Sequence, residues 1–195
     1  MRTSFKFGAA IGILTIISAA AGWYFSPKSI AYNESFEQNF SGWTGDADVP
    51  PDPNNPGSNI EWNVSRTTSA KSGQYSVELY IDGKQDDGTV WIEKLLLAER
   101  NAQVQVNVSF DLYSESESFN VIAAVVAFAG TSDPEVEADL KVIGKANDVS
   151  GWKHYTYITT LETDSSGKVW VALGISVRWE TEMTYNVDDV AVTID

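Results

Sequence analysis

Few kinds of chemically active side chain are present. The 195 residues hold 27 acids, 13 Lys and Arg, a single His and no Cys. Without thiols, and with His154 as the only imidazole, the usual zinc constellations are out of reach, and a Ser-His-Asp triad has one possible centre. By alternation His154 shares a side with Thr156, Ile158 and Thr160, which reads as an exposed strand histidine. Carboxylates are numerous enough for the acid pair of glycoside hydrolysis, but no two stand apart from the rest. The expectation is a protein that is not an enzyme. One acidic pair still raises a question. Asp188 and Asp189 interrupt the closing segment "MTYNVDDVAVTID", whose Tyr185, Val187, Val190, Val192 and Ile194 are strand formers. On a regular strand one of the two acids points toward the face that Val190, Val192 and Ile194 bury. A carboxylate aimed at a core is costly until something neutralises it.

The second chemistry on offer is binding. Sugar rings stack their C–H faces on Trp and Tyr and offer hydroxyls to Asp, Asn, Gln and Arg. Seven Trp and eight Tyr are present. Alternation places Tyr80, Gln105, Asn107, Asp111, Tyr113, Trp170 and Arg178 on outward sides of their segments, while Trp91 could face either way. The candidate ligand-binding set is therefore Trp170, Trp91, Tyr113, Tyr80, Asp111 and Arg178. Trp170 and Arg178 share one side of one strand, about 26 Å apart, which suits a groove rather than a small pocket. Trp43, Trp152 and Trp179 read as packing residues, and Trp43 and Trp62 flank a Pro-rich loop.

The elements that must position these residues are almost all strands. "QYSVELYID", "AQVQVNVSFDLYS" and "KVWVALGISVRWE" alternate cleanly, the last with Val169, Val171, Leu173, Ile175, Val177 and Trp179 inward. Further strands are expected at 35–39, 60–66, 89–97, 119–128 and 152–161. "KSG" at 71–73, "DGKQDDG" at 82–88 and "DSSG" at 164–167 are turn signals. Residues 45–59 are too polar and too rich in Pro for a strand. Residues 131–151 form a second long connection, with 134–143 a short helix or an acidic edge segment. Eight or nine strands without helical punctuation predict an all-β fold: a two-sheet antiparallel β-sandwich, most simply a jelly roll. Its length suits one domain with a real core.

An N-terminal apolar signal or anchor helix precedes the sandwich. Arg2 and Lys6 lead an apolar run from Phe7 to Phe25, and Pro27 ends it. Ser29-Ile30-Ala31 fits the small-x-small cleavage rule, with Ala19-Ala20-Ala21 as a second candidate. The run is also near the lower limit for spanning a bilayer, so an uncleaved anchor stays open. The expected division is 1–31 as signal peptide or signal anchor and 32–195 as the domain, secreted or at the cell surface, touching membrane only through the first segment. A formal charge of −14 argues against nucleic acid and anionic lipid. The sequons at Asn33, Asn39, Asn63 and Asn107 suit a glycosylated surface.

Three stretches, in this order, look familiar: "NESFEQNFSGW" at 33–43, "SRTTSAKSGQYSVELYI" at 65–81, and "YNVDDVAVTI" at 185–194. Together the pattern resembles the galactose-binding-like jelly rolls, above all carbohydrate-binding modules of the cellulose- and xylan-binding type. Adhesion-type MAM domains open with a similar Phe-Glu…Gly-Trp pattern. The resemblance implies a structural calcium at the edge where the first and last strands meet. Glu37 matches the Phe-Glu acid, Asp188 or Asp189 the closing acid, and carbonyls of the 71–73 turn could complete the shell. Ca²⁺ takes such oxygen ligands and needs neither Cys nor His. The other answer is a solvated strand end with one acid paired to Lys or Arg. The function expected is an exported, non-catalytic module binding a glycan or cell-surface component, the alternative being a structural or adhesive surface protein.

Overall fold

The computed structural model describes residues 29–195. The apolar N-terminal segment falls almost wholly outside the described residues. Among those described, no helix is long and apolar enough to cross a membrane. The strands are β1 (Ile30–Glu34), β2 (Thr44–Asp48), β3 (Trp62–Thr67), β4 (Ser76–Gly83), β5 (Thr89–Leu97), β6 (Gln103–Ser114), β7 (Ala123–Gly130), β8 (Lys141–Lys145), β9 (Gly151–Glu162), β10 (Lys168–Val177) and β11 (Thr181–Ile194).

They form two antiparallel sheets. A five-stranded sheet runs β2-β5-β10-β7-β8, and a six-stranded sheet runs β3-β4-β11-β6-β9, with β1 also paired to β11. Along β4 to β11, each sheet takes four strands in the first-last-third-sixth and second-seventh-fourth-fifth orders, which is the double Greek key of a jelly roll. The expected sandwich is what forms. Val77, Leu79, Ile81, Val106, Val108, Phe110 and Leu112 line its inner face on one side; Val90, Ile92, Val171, Leu173 and Ile175 line it on the other, all fully buried. Every one belongs to an alternating run, so the period of two is what assembles the core.

Several boundaries differ from expectation. The first strand is Ile30–Glu34, not residues 35–39. Phe36 and Ser41 adopt left-handed φ of 56° and 50°, which breaks any ladder there, and Phe36 tucks into the core from a loop. Because Ile30 and Ala31 pair with Ile194 and Thr193, cleavage after Ala31 would cut two of the five β1 pairs, whereas cleavage at Ala19–Ala21 would spare them. The polar 45–59 segment does contain a strand, β2, because pairing to β5 needs only backbone and β2 lies at a sheet edge. Phe119 precedes β7 and is 98% exposed. Residues 137–139 make one 3₁₀ turn and 141–145 an edge strand.

The closing strand resolves the Asp188–Asp189 question. Met183, Tyr185 and Val187 face the core, and so do Val190, Val192 and Ile194. Those two sets are out of phase, and no regular strand could bury both. A β-bulge between Asp188 and Ala191, with Asp189 at φ 50°, inserts the extra residue that rephases them. The expectation that one acid must aim at the core is therefore corrected: neither does. The bulge also marks the point where β11 exchanges neighbours, β4 up to Val187 and β1 from Val190.

Candidate functional site

The bulge brings the expected acids to a single turn. Asp188 is fully buried on the outer side of the six-stranded sheet, beneath the turn that joins β3 to β4. Its Oδ2 accepts N–H from Lys71 (2.9 Å) and Ser72 (3.0 Å), and its Oδ1 accepts the Asp189 N–H (2.7 Å). Burial lifts this carboxyl above its usual range, and the three amides pull it back. Glu37 reaches the same turn from the β1–β2 loop. It accepts N–H from Gln74 and Tyr75 at 3.0–3.1 Å. Gly73, at φ 64°, is needed there: a Cβ would stand 2.3 Å from the Glu37 Oε1. Ser72 donates to Asp189 Oδ1 at 2.6 Å. Lys71 Nζ lies 2.6 Å from Asp111 Oδ2, and that bond raises the Lys71 pKa.

This arrangement bears on the expected calcium. Glu37, Asp188 and Asp189 do meet one turn, and the turn offers them N–H and O–H donors. A Ca²⁺ shell needs six to eight oxygens around one point. Among the described residues no group of three or more Asp, Glu, His or Cys converges in that way. As placed, these residues do not fit the ion: the turn amides answer Asp188 and Glu37, and Lys71 answers Asp111.

The six expected ligand-binding residues do not form one site. Tyr80, Asp111 and Tyr113 lie on the outer face of the six-stranded sheet; Trp91, Trp170 and Arg178 lie on the outer face of the five-stranded sheet. The two faces point in opposite directions. Asp111 is 4% exposed and engaged by Lys71 and His154. Tyr113 tilts against Trp152, ring centroids 5.4 Å apart. Tyr80 is half-buried, its hydroxyl 3.4 Å from Glu182. Asn107, a sequon residue, has its side-chain oxygen sealed off on central strand β6, whereas Asn33, Asn39 and Asn63 are exposed.

On the five-stranded sheet, Trp91 is fully buried rather than open to a ligand. Its indole packs with Val126, Ala172 and Leu140, crossing β10 at Gly174, where a Cβ would come within 2.7 Å of the Trp91 Cβ. Residues 131–140 cover it. Pro134 and Leu140 are buried, Glu137 N–H donates to Asp48 (2.8 Å), and Thr89 Oγ1 and Arg178 Nη2 donate to the Glu137 carboxylate (2.8 and 2.9 Å). Beneath the same segment, Trp91 Nε1 donates to Glu93 Oε2 at 2.7 Å. Trp170 stays half-buried beyond the covered area.

The aromatic that is open is one the sequence assigned to the core. β10 ends at Val177, so Trp179 lies past the strand and is 55% exposed. It stands between two cavities. One, of about 350 Å³, carries the acids Glu115, Glu180 and Glu182. The other, of about 620 Å³, has an apolar floor of Ala124 and Val142 and is edged by Asn120, Lys145 and Arg178. An indole ridge between hydroxyl-binding groups and an apolar floor can stack one ring and hydrogen-bond its neighbours. A third cavity, about 490 Å³, opens at Phe40 and Trp62 between edge strands β2 and β3, but its polar lining is only Thr44 and Asn63.

No protein-family model matches this sequence, and no curated protein matches it. Solved structures do match in shape. The CBM22-1–GH10 modules of the Clostridium thermocellum endo-1,4-β-D-xylanase 10B, complexed with xylohexaose, align at a TM-score of 0.47 and 16% identity, over 83% of this chain and 27% of that one. The CBM22-1 xylan-binding domain of Paenibacillus barcinonensis Xyn10C aligns at 0.48 and 14%, over 86% and 96%. The K3 cleaved adhesin domain of the Porphyromonas gingivalis Lys-gingipain aligns at 0.49 and 12%, over 85% and 99%. These are likenesses of fold alone. In that sense the chain is similar to the jelly-roll sandwiches that carbohydrate-binding modules use.

Proposed function

We propose that this protein is an exported, non-catalytic binding module for carbohydrate, and that its site is the exposed Trp179 ridge. The observation that carries this reading is the position of that indole. It is open to solvent just past the end of β10, with carboxylates and hydroxyls on one side and an amide, two cations and an apolar floor on the other. Sugars need that combination: a flat apolar surface for the ring and mixed polar groups for the hydroxyls. Arg178 is the one member of the expected ligand-binding set that borders this place. The N-terminal apolar run supports export, by cleavage or as an anchor. Calcium has no part in the proposal.

The test is binding to immobilised xylan, β-glucan and galactan by the wild type and by Trp179→Ala. Loss of the stacking surface should weaken binding roughly tenfold or more, about 1.4 kcal/mol. Undiminished binding by Trp179→Ala would refute the site, and no binding of any polysaccharide by the wild type would refute the function. A second reading, contact with another protein, is favoured by Phe119, which is 98% exposed on the same end of the sandwich as Val121, 38% exposed. Self-association that persists in excess sugar would support it.

A further inference from the structure

The segment over Trp91 is fastened in an unusual way. At one end, Glu137 is held by ordinary partners: Thr89 from β5, Asp48 from β2 and Arg178 from the end of β10. At the other end the Asp133 carboxyl comes up against Glu93, close enough that each bears on the other's acidity. Two carboxylates are both acceptors, so a bond between them needs a proton. No donor from the protein reaches Asp133 Oδ1, although that atom is sealed from solvent. Glu93 itself is 6% exposed. Everything charged that bears on it is acidic: Asp133 from the segment and Asp46 from β2, while β10 presents Ala172 opposite and its own strand supplies only the Trp91 N–H.

We infer that residues 131–140 are a proton-latched strap over the outer face of the five-stranded sheet, held down while Glu93 and Asp133 share a proton and released when that proton is lost. Release uncovers a trough floored by Trp91, Ala172, Gly174 and Val126. The acid strength of Glu93 is consistent with this: burial first, then Asp133 and Asp46, push it up to about 7. The closed strap holds a proton that an open, hydrated Glu93 would give up at its ordinary value of 4.5. Closure is therefore favoured in acid and weakens as pH rises toward 7, by up to about tenfold per pH unit, with no further change above it. What the uncovered trough binds rests on the carbohydrate reading; the latch does not.

Amide hydrogen exchange of residues 131–140, corrected for the intrinsic pH dependence of exchange, tests the latch between pH 5 and 8.5. The wild-type strap should lose protection as pH rises toward 7 and level off above it. Glu93→Gln keeps an acceptor for Trp91 and an N–H donor for Asp133 but cannot ionise, so its strap should stay protected throughout. Asp133→Asn, which offers Glu93 an N–H in place of a second carboxyl but leaves it buried and ionisable, should keep a smaller pH step, and serves if the first variant folds poorly. A wild-type strap whose protection ignores pH, or a Glu93→Gln strap that loses it as the wild type does, would overturn the inference. Xylohexaose titrated at pH 5.5 and 8 separates the two readings. Binding that Trp179→Ala weakens supports the ridge, and an added affinity that rises with pH in the wild type but not in Glu93→Gln supports the latch, with sugar entering the uncovered trough. A pH step in exchange without sugar binding keeps the latch and overturns the carbohydrate assignment.

Discussion

Two buried acidic clusters lie on opposite faces of this sandwich, and they are neutralised by opposite means. At the β3–β4 turn, Asp188 and Glu37 are surrounded by backbone N–H groups, and Asp111 by the Lys71 ammonium. Beneath the 131–140 strap, Glu93 faces Asp133 and Asp46 with the Trp91 N–H as its one donor. A buried carboxylate must be answered by donors, by a cation or by its own proton. The first cluster is met by donors and a cation; the second is met by a proton. The first should therefore behave as a permanent fastening of the closing strand, and the second as a fastening that depends on pH.

The contrast is broken most severely by Asp188→Ala. It strands two turn amides and removes the group that pins the bulge, so it should cost roughly 2–4 kcal/mol in urea unfolding. Asp188→Asn, which keeps one acceptor, should cost less. Next comes pH. The folded state holds the Glu93 proton above pH 4.5, where the unfolded chain releases it. Stability from this group should fall as pH rises from about 4.5 to 7 and then stay level, by at most about 3.5 kcal/mol, the product of the shift and roughly 1.4 kcal/mol per unit. Asp148 and Asp164, whose hydrogen bonds to Lys153 and Ser166 lower their pKa, act in the opposite sense at lower pH. Subtracting the Glu93→Gln curve isolates the strap. Calcium should do less still: melting midpoints in EDTA and in millimolar Ca²⁺ should agree, and a clear rise with Ca²⁺ would mean an ion replaces the amide contacts. Smallest is Trp179→Ala, expected within about 0.5 kcal/mol of wild-type stability because the indole is mostly exposed.

Much of the fold was legible in the sequence, because alternation in 75–82, 103–113 and 168–177 needs no tertiary information. The bulge was not read, although its signal is there. Val187 and Val190 are an odd number of residues apart, so burying both on one strand demands an inserted residue. What alternation could not say was which sheet each strand joins. That is why Tyr80, Asp111 and Tyr113 were grouped with Trp91, Trp170 and Arg178, although the sandwich core separates them. Trp179 was misplaced for a simpler reason: the apolar period runs past the point where pairing stops. The strap left no local signature, since Asp133 and Glu137 acquire meaning only from Glu93, Thr89 and Arg178 on other strands. Glu37 was placed at the right turn by resemblance, but the partners it meets there are amides, and no residue type announces where a backbone N–H will point.

The different neutralisation of the two clusters can be read one carboxyl at a time. In a ¹³C NMR pH titration of the side-chain carboxyls of the wild-type protein, Glu93 should titrate near 7, with Asp133 responding to the same step, while Lys71 keeps its proton well above neutrality beside Asp111. A Glu93 that titrates near its ordinary value of 4.5 would mean that no proton is shared under the strap, and the account of that face would fail.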